Sequence, residues 1–61
     1  MPKKTFFNLP IDKKQKIIDA AYDLFIENDY KDVNIRSIAK KAGISIGSFY
    51  QYFDDKDDLY L

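Results

Sequence analysis

The sequence contains no cysteine and no histidine. Without cysteine, no disulfide or thiolate metal site can staple a chain of 61 residues. With neither residue, nucleophilic catalysis and transition-metal binding lose their usual side chains. No catalytic residue, metal ligand or cofactor is therefore expected. A chain of this size buries only about 60% of its unfolded surface and is marginal alone, so the expected staple is a partner or a missing second domain. Leu59, Tyr60 and Leu61 form an apolar cluster on a helix that has scarcely begun, which reads as a piece of a longer protein. There is no apolar run of about 18 residues, so nothing is expected to span a membrane. Phe6, Phe7 and Leu9 are too few for a signal-peptide core, and Pro10 interrupts them. The expected compartment is the cytoplasm. Excess charge is also lacking: ten Lys/Arg balance ten Asp/Glu, without the basic surplus usual in a nucleic-acid binder. The distribution is uneven. Residues 1–41 carry nine Lys/Arg against six Asp/Glu, +3, and residues 42–61 carry Lys56 against four Asp, −3.

What is present is helical periodicity, and no segment of useful length has the period of a strand. Residues 1–9 read as an N-terminal arm without a period, with Lys3 and Lys4 as its charges and Phe6 and Phe7 able to pack back on the body. A first helix is predicted from Pro10 or Asp12 to Asn28. Pro10 suits a first helical position, and Asp12 with Gln15 has capping-box spacing. Ile17, Ala21, Leu24 and Phe25 recur at helical spacing, with Ile18 and Ala20 widening the stripe. Asn28-Asp29 should end this helix in a left-handed conformation. Asn34 caps a second helix, Ile35 to Ala42, whose core face is Ile35, Ile38, Ala39 and Ala42. Ser45 caps a third, about Ile46 to Phe53, with Phe49 and Phe53 as an inward i, i+4 pair. Asp55 caps the start of a fourth, with Asp57 and Asp58 in its first turn, where acids favour the positive end of the helix dipole. The acidic cluster lacks the loop glycine and terminal Glu of a calcium loop, so capping explains it. The fold class is all-α: three helices plus the start of a fourth.

The stretch NIRSIAKKAGISIGSFYQYF, residues 34–53, carries the functional reading. Two short helical patterns flank Gly43, where the chain must turn left-handed. Ala39 is small where the helices approach, and Ile38, Ile44 and Phe49 form an apolar wedge. This is the layout of a helix-turn-helix, which lays its second helix in the DNA major groove.

Ile17-Ile18, Ala20-Ala21, Leu24-Phe25, Ile38-Ala39, Ala42-Gly43-Ile44-Ser45, Gly47-Ser48-Phe49-Tyr50, Tyr52-Phe53 and Lys56 with Leu59 together resemble the N-terminal domain of the TetR family of transcriptional regulators, over about residues 14 to 61. The resemblance implies sequence-specific DNA binding by residues 10–61 as the operator-reading domain of a longer regulator. It also implies a C-terminal domain, absent here, that forms a homodimer and binds a small-molecule effector. The parent would be a repressor released from a palindromic operator by that ligand. The sequence departs from the family pattern at Asp29, where glycine is usual, at Tyr52, where histidine is usual, and at Ile46, where base readout would be apolar.

The candidate DNA-binding residues are Asn34, Arg36, Ser45, Ile46, Gly47, Ser48, Tyr50, Gln51, Tyr52 and Lys56. Ser48, Tyr50 and Tyr52 offer hydroxyls to phosphate oxygens, and the free N–H groups after Ser45 can face a phosphate. The resemblance adds Tyr50 and Lys56 as phosphate contacts. The fork of Arg36 fits O6 and N7 of guanine, and Ile46 suits a thymine methyl. Gly47 lets the backbone approach the bases, and Gln51 can reach a base or a phosphate. Lys3 and Lys4 are placed to reach a neighbouring groove, as basic arms do. Lys13, Lys14 and Lys16 read as solvated charges that steer at long range, and Lys40 and Lys41 fit either a solvated face or a contact. Tyr50 and Tyr52 flank the Phe49–Phe53 stripe, so at least one tip should be wet. Two other functions fit less well. A helix-turn-helix that binds protein is permitted by the zero net charge. An enzyme built on paired carboxylates is disfavoured, because the acids sit at a helix start without an apolar pocket to shift their pKa.

Overall fold

A computed structural model describes residues 2–60. Its helices are α1 (Lys4–Phe7), α2 (Ile11–Glu27), α3 (Ile35–Ala42), α4 (Ile46–Tyr52) and α5 (Asp57–Tyr60), with a 3-10 turn at Tyr30–Asp32 between α2 and α3. Among the described residues there is no strand, and no helix is long and apolar enough to cross a membrane. The fold is all-α, as the periodicity predicts.

The long helix α2 lays Ile17, Ala20 and Ala21 on the core. Opposite them α3 buries Ile38, Ala39 and Ala42, and α4 contributes Phe49 and closes with the buried Phe53. Ile38, Phe49 and Phe53 have no exposed surface, and each such side chain gains about 1.5–3 kcal/mol from leaving water. The radius of gyration is 10.4 Å, against about 10.5 Å for a folded domain of this length. The helices thus close on themselves around one core.

Four sequence expectations are corrected. Pro10 itself is the N-cap of α2, and no side-chain cap bond forms there. Asp12 therefore lies inside the first turn, and Gln15 donates to Asp19 Oδ1 at 2.8 Å rather than closing a capping box. Ile18 is largely exposed, outside the core stripe. Asn28 and Asp29 are both extended rather than left-handed. Asn28 ends α2 by donating its backbone N–H and its side-chain Nδ2 to the Leu24 carbonyl, at 3.1 and 3.0 Å, so no positive φ is needed. Finally, the N-terminal segment has a helical turn of its own, α1, which inserts Phe6 into the core against Phe53, ring centroids 4.9 Å apart. Phe7 stays about half exposed.

Behind the core, Phe25, Tyr30 and Tyr60 form an aromatic cluster with centroids 4.7–5.8 Å apart, joining the end of α2, the 3-10 turn and α5. Leu61, the last member of the apolar ending, lies outside the described residues. In α5 the cap forms as the sequence suggests: Asp55 Oδ1 accepts from the N–H groups of Asp57 and Asp58 at 3.0 and 3.3 Å. Asp58 reaches back to accept from Asp54 N–H at 2.7 Å, and this bond holds its carboxyl below the ordinary value of 3.8.

Candidate nucleic-acid interface

The turn between α3 and α4 is fixed by its backbone. Gly43 is the left-handed residue, φ +75°. Its N–H donates to the Lys40 carbonyl at 3.2 Å, and Ile44 N–H donates to the Ala39 carbonyl at 2.9 Å. These two bonds form a Schellman motif, which satisfies carbonyls that a helix end leaves open. Asn34 caps α3 by accepting from Ser37 N–H at 2.8 Å. Ser45 caps α4 by accepting from Ser48 N–H at 3.0 Å, and its own hydroxyl donates to Ser48 Oγ at 3.0 Å. The start of each helix is thus held by a side chain, and the hinge between them by backbone bonds.

Residues 17–61 match a profile described as bacterial regulatory proteins, tetR family. The chain belongs to the TetR family. At 55% identity it resembles a solved TetR family transcriptional regulator from Chloroflexus aurantiacus J-10-FL, with a TM-score of 0.89, covering 98% of this chain and 28% of that one. It is 41% identical over 49 residues to a fatty acid metabolism regulator protein of Bacillus subtilis (strain 168), covering 80% of this chain and 25% of the relative. It is 46% identical over 48 residues to an HTH-type transcriptional regulator of Aromatoleum sp. (strain CIB), covering 79% and 21%. The chain therefore spans about a quarter of the length of these proteins. Family membership makes the helix-turn-helix the DNA-binding unit of a transcriptional regulator.

Within this TetR-type unit the candidate side chains take distinct places. Ile46, Gly47, Tyr50 and Gln51 are exposed on α4, and Arg36 is exposed in the first turn of α3. Tyr50 is 46% exposed, with its ring edge-on to Phe49 at 5.6 Å. A Cβ built on Gly47 would meet only Ser45 Oγ, at an ordinary 3.8 Å. Nothing inside the chain requires glycine there. Ser45, Ser48 and the half-buried Tyr52 line one groove of about 370 Å³ with Leu9, Lys13, Lys16, Ile17, Ala42, Gly43 and Ile44.

Lys56 is set apart. Its Nζ donates to the carbonyls of Tyr30 and Val33, both at 2.8 Å, and lies 4.3 Å from the centroid of the Tyr30 ring. Two of its three donors thus hold α5 to the segment leading into α3. The basic arm is committed as well. Lys3 N–H donates to the Tyr52 carbonyl at 2.8 Å and Lys3 Nζ to the Tyr50 carbonyl at 2.7 Å. Thr5 Oγ1 donates to the Gln51 carbonyl. Lys3 also pairs with Asp54 at 3.2 Å. The expected reach of Lys3 into a neighbouring groove is replaced by a clamp on the end of α4, while Lys4 remains exposed. Lys13 and Lys16, read from the sequence as solvated charges, line the groove beside the hinge.

Proposed function

We propose that this chain reads one half-site of a palindromic operator by laying α4 in the major groove, within a longer homodimeric repressor that a small-molecule effector releases. The observation that carries the reading is α4 itself. It is anchored underneath by Phe49 and Phe53, yet it presents Ile46, Gly47, Tyr50 and Gln51 outward beside the exposed Arg36 of α3. Exposed hydroxyls and amides on a rigid helix suit both kinds of contact that DNA recognition needs: phosphate bonds for register and base-edge bonds for sequence. Tyr50 and Ser48 are assigned to phosphates, Arg36 to a guanine edge, and Ile46 to a thymine methyl. Asn34 and Ser45 act through the caps that orient α3 and α4. Gln51 and Tyr52 flank the contact, and Lys56 adds charge through its remaining donor. The small apolar core and the short span relative to the family's members fit a domain that works joined to a larger dimerising body.

The test is a fluorescence-anisotropy titration of the chain with duplex DNA at several salt concentrations. Binding should weaken steeply and linearly in log–log form as counterions are released. A salt-independent affinity, or none at low salt, refutes the reading.

A further inference from the structure

We propose that Lys13 and Lys16 complete, with Ser48 and Tyr52, a seat for a backbone phosphate of double-stranded DNA in the groove between the start of α2 and the helix-turn-helix hinge. The proposal rests on the DNA-binding reading and extends it to a helix outside the motif. The groove holds about 370 Å³, and its lining contains two cations and three hydroxyl side chains but no acidic one. In a chain whose charges cancel overall, that local imbalance is the relevant quantity, because a concave wall concentrates the field of its charges.

The ammonium groups divide by what they touch. Lys3, Lys14 and Lys56 donate to backbone carbonyls of the chain. No ion pair or side-chain hydrogen bond to another described residue engages Lys13 or Lys16. Lys16 Nζ stands over the hinge, 3.2 Å from where a Cβ on Gly43 would lie. Lys16 also borders an adjoining hollow that holds Asp12, Asp19, Asp23 and Lys41, so it stands between an acidic wall and this groove. The hydroxyls have a direction too. Ser45 gives its proton to Ser48 Oγ, so the proton of Ser48 needs another acceptor. The side chains of the remaining walls, Leu9, Ile17, Ala42 and Ile44, are apolar. An anionic oxygen satisfies Ser48 and both lysines together. The groove adjoins Ser45, where α4 begins, so a duplex lying along α4 brings its backbone to this side.

The test uses this chain, a mixed-sequence duplex and salt-dependent anisotropy, with circular dichroism confirming that each variant is folded. Lys13→Gln and Lys16→Gln should each reduce the slope of log K against log salt by about 0.9, one phosphate contact apiece. Lys13→Arg and Lys16→Arg should keep it, as should Lys31→Gln on the 3-10 turn outside the groove. Wild-type slopes in both glutamine variants overturn the seat while leaving DNA binding intact. An equal loss in Lys31→Gln also overturns it, by showing a general charge effect. A wild-type chain without salt-dependent binding removes the DNA reading and the seat together.

Discussion

Gly43 and Gly47 lie one helical turn apart in number, yet they are glycine for different reasons. Gly43 has φ +75°, a conformation that costs an L-residue about 1–2 kcal/mol. Gly43→Ala should lower the urea-unfolding free energy by about 1–2 kcal/mol, with Lys16 swinging aside to admit the methyl. Gly47 has ordinary helical backbone and open space at its Cβ position. Gly47→Ala should leave stability unchanged or raise it by about 0.5–1 kcal/mol, while weakening duplex binding by holding the backbone away from the bases. A Gly47→Ala variant that binds DNA as tightly as wild type would show that no close approach occurs there. Lys56 illustrates what local reading misses. Its charge is plain in the sequence, but the carbonyls that hold it belong to Tyr30 and Val33, 26 and 23 residues away. Lys56→Met leaves both carbonyls without a charged donor and should cost about 1.5–3 kcal/mol in the same urea assay. A drop in DNA affinity with unchanged stability would instead mark Lys56 as a contact alone.

At the scale of elements, legibility follows whether a helix is specified locally. The second and third predicted helices, α3 and α4, carry their own caps, Asn34 and Ser45, and their own apolar periods, so their positions could be read directly. The one-turn helix α1 could not, because a single turn is unstable by itself and forms here through contacts made by Phe6 and Lys3 on distant residues. The same limit hid the clamp on α4, in which Lys3 and Thr5 take three successive carbonyls, Tyr50 to Tyr52. Those groups form the negative end of the helix dipole, so a cation and donors suit them. Lys3→Met combined with Thr5→Val should lower stability by about 1–2 kcal/mol. Because this lysine faces α4, the salt slope of duplex binding should stay unchanged. A lost slope would place Lys3 on DNA instead. Beside the Asp55 cap of α5, the bond from Asp54 N–H to the Asp58 carboxylate is pH-dependent. Asp58 is held below its ordinary value of 3.8, first by the Asp54 N–H. Its folded pKa is thus lower than its unfolded one. The stabilisation is complete above that ordinary value and disappears as pH falls through the lowered one. The protection factor of the Asp54 amide, its exchange rate corrected for the intrinsic pH dependence, should fall on acidification below about pH 4, and Asp58→Asn should flatten that fall.

For the molecule as a whole, net charge and size set how tightly it can bind. Ten cations matched by ten anions leave little long-range attraction, so affinity must come from the few groups on one face, and a single copy has one such face. Two-fold DNA sites are read by two copies, and joining them makes the second contact intramolecular, a gain on the order of 10²–10⁴. None of that gain is available to a lone 61-residue unit. Its dissociation constant for duplex DNA should therefore lie near the non-specific range, roughly 10⁻⁴–10⁻⁶ M at physiological salt. Two copies joined by a flexible linker long enough to span adjacent major grooves should recover much of the gain on a palindrome, and none on a duplex carrying one half-site. Both quantities come from one anisotropy series with the oligomeric state checked by light scattering. Nanomolar binding by a monomer would break the argument, because it would require one face to supply the energy assigned here to two.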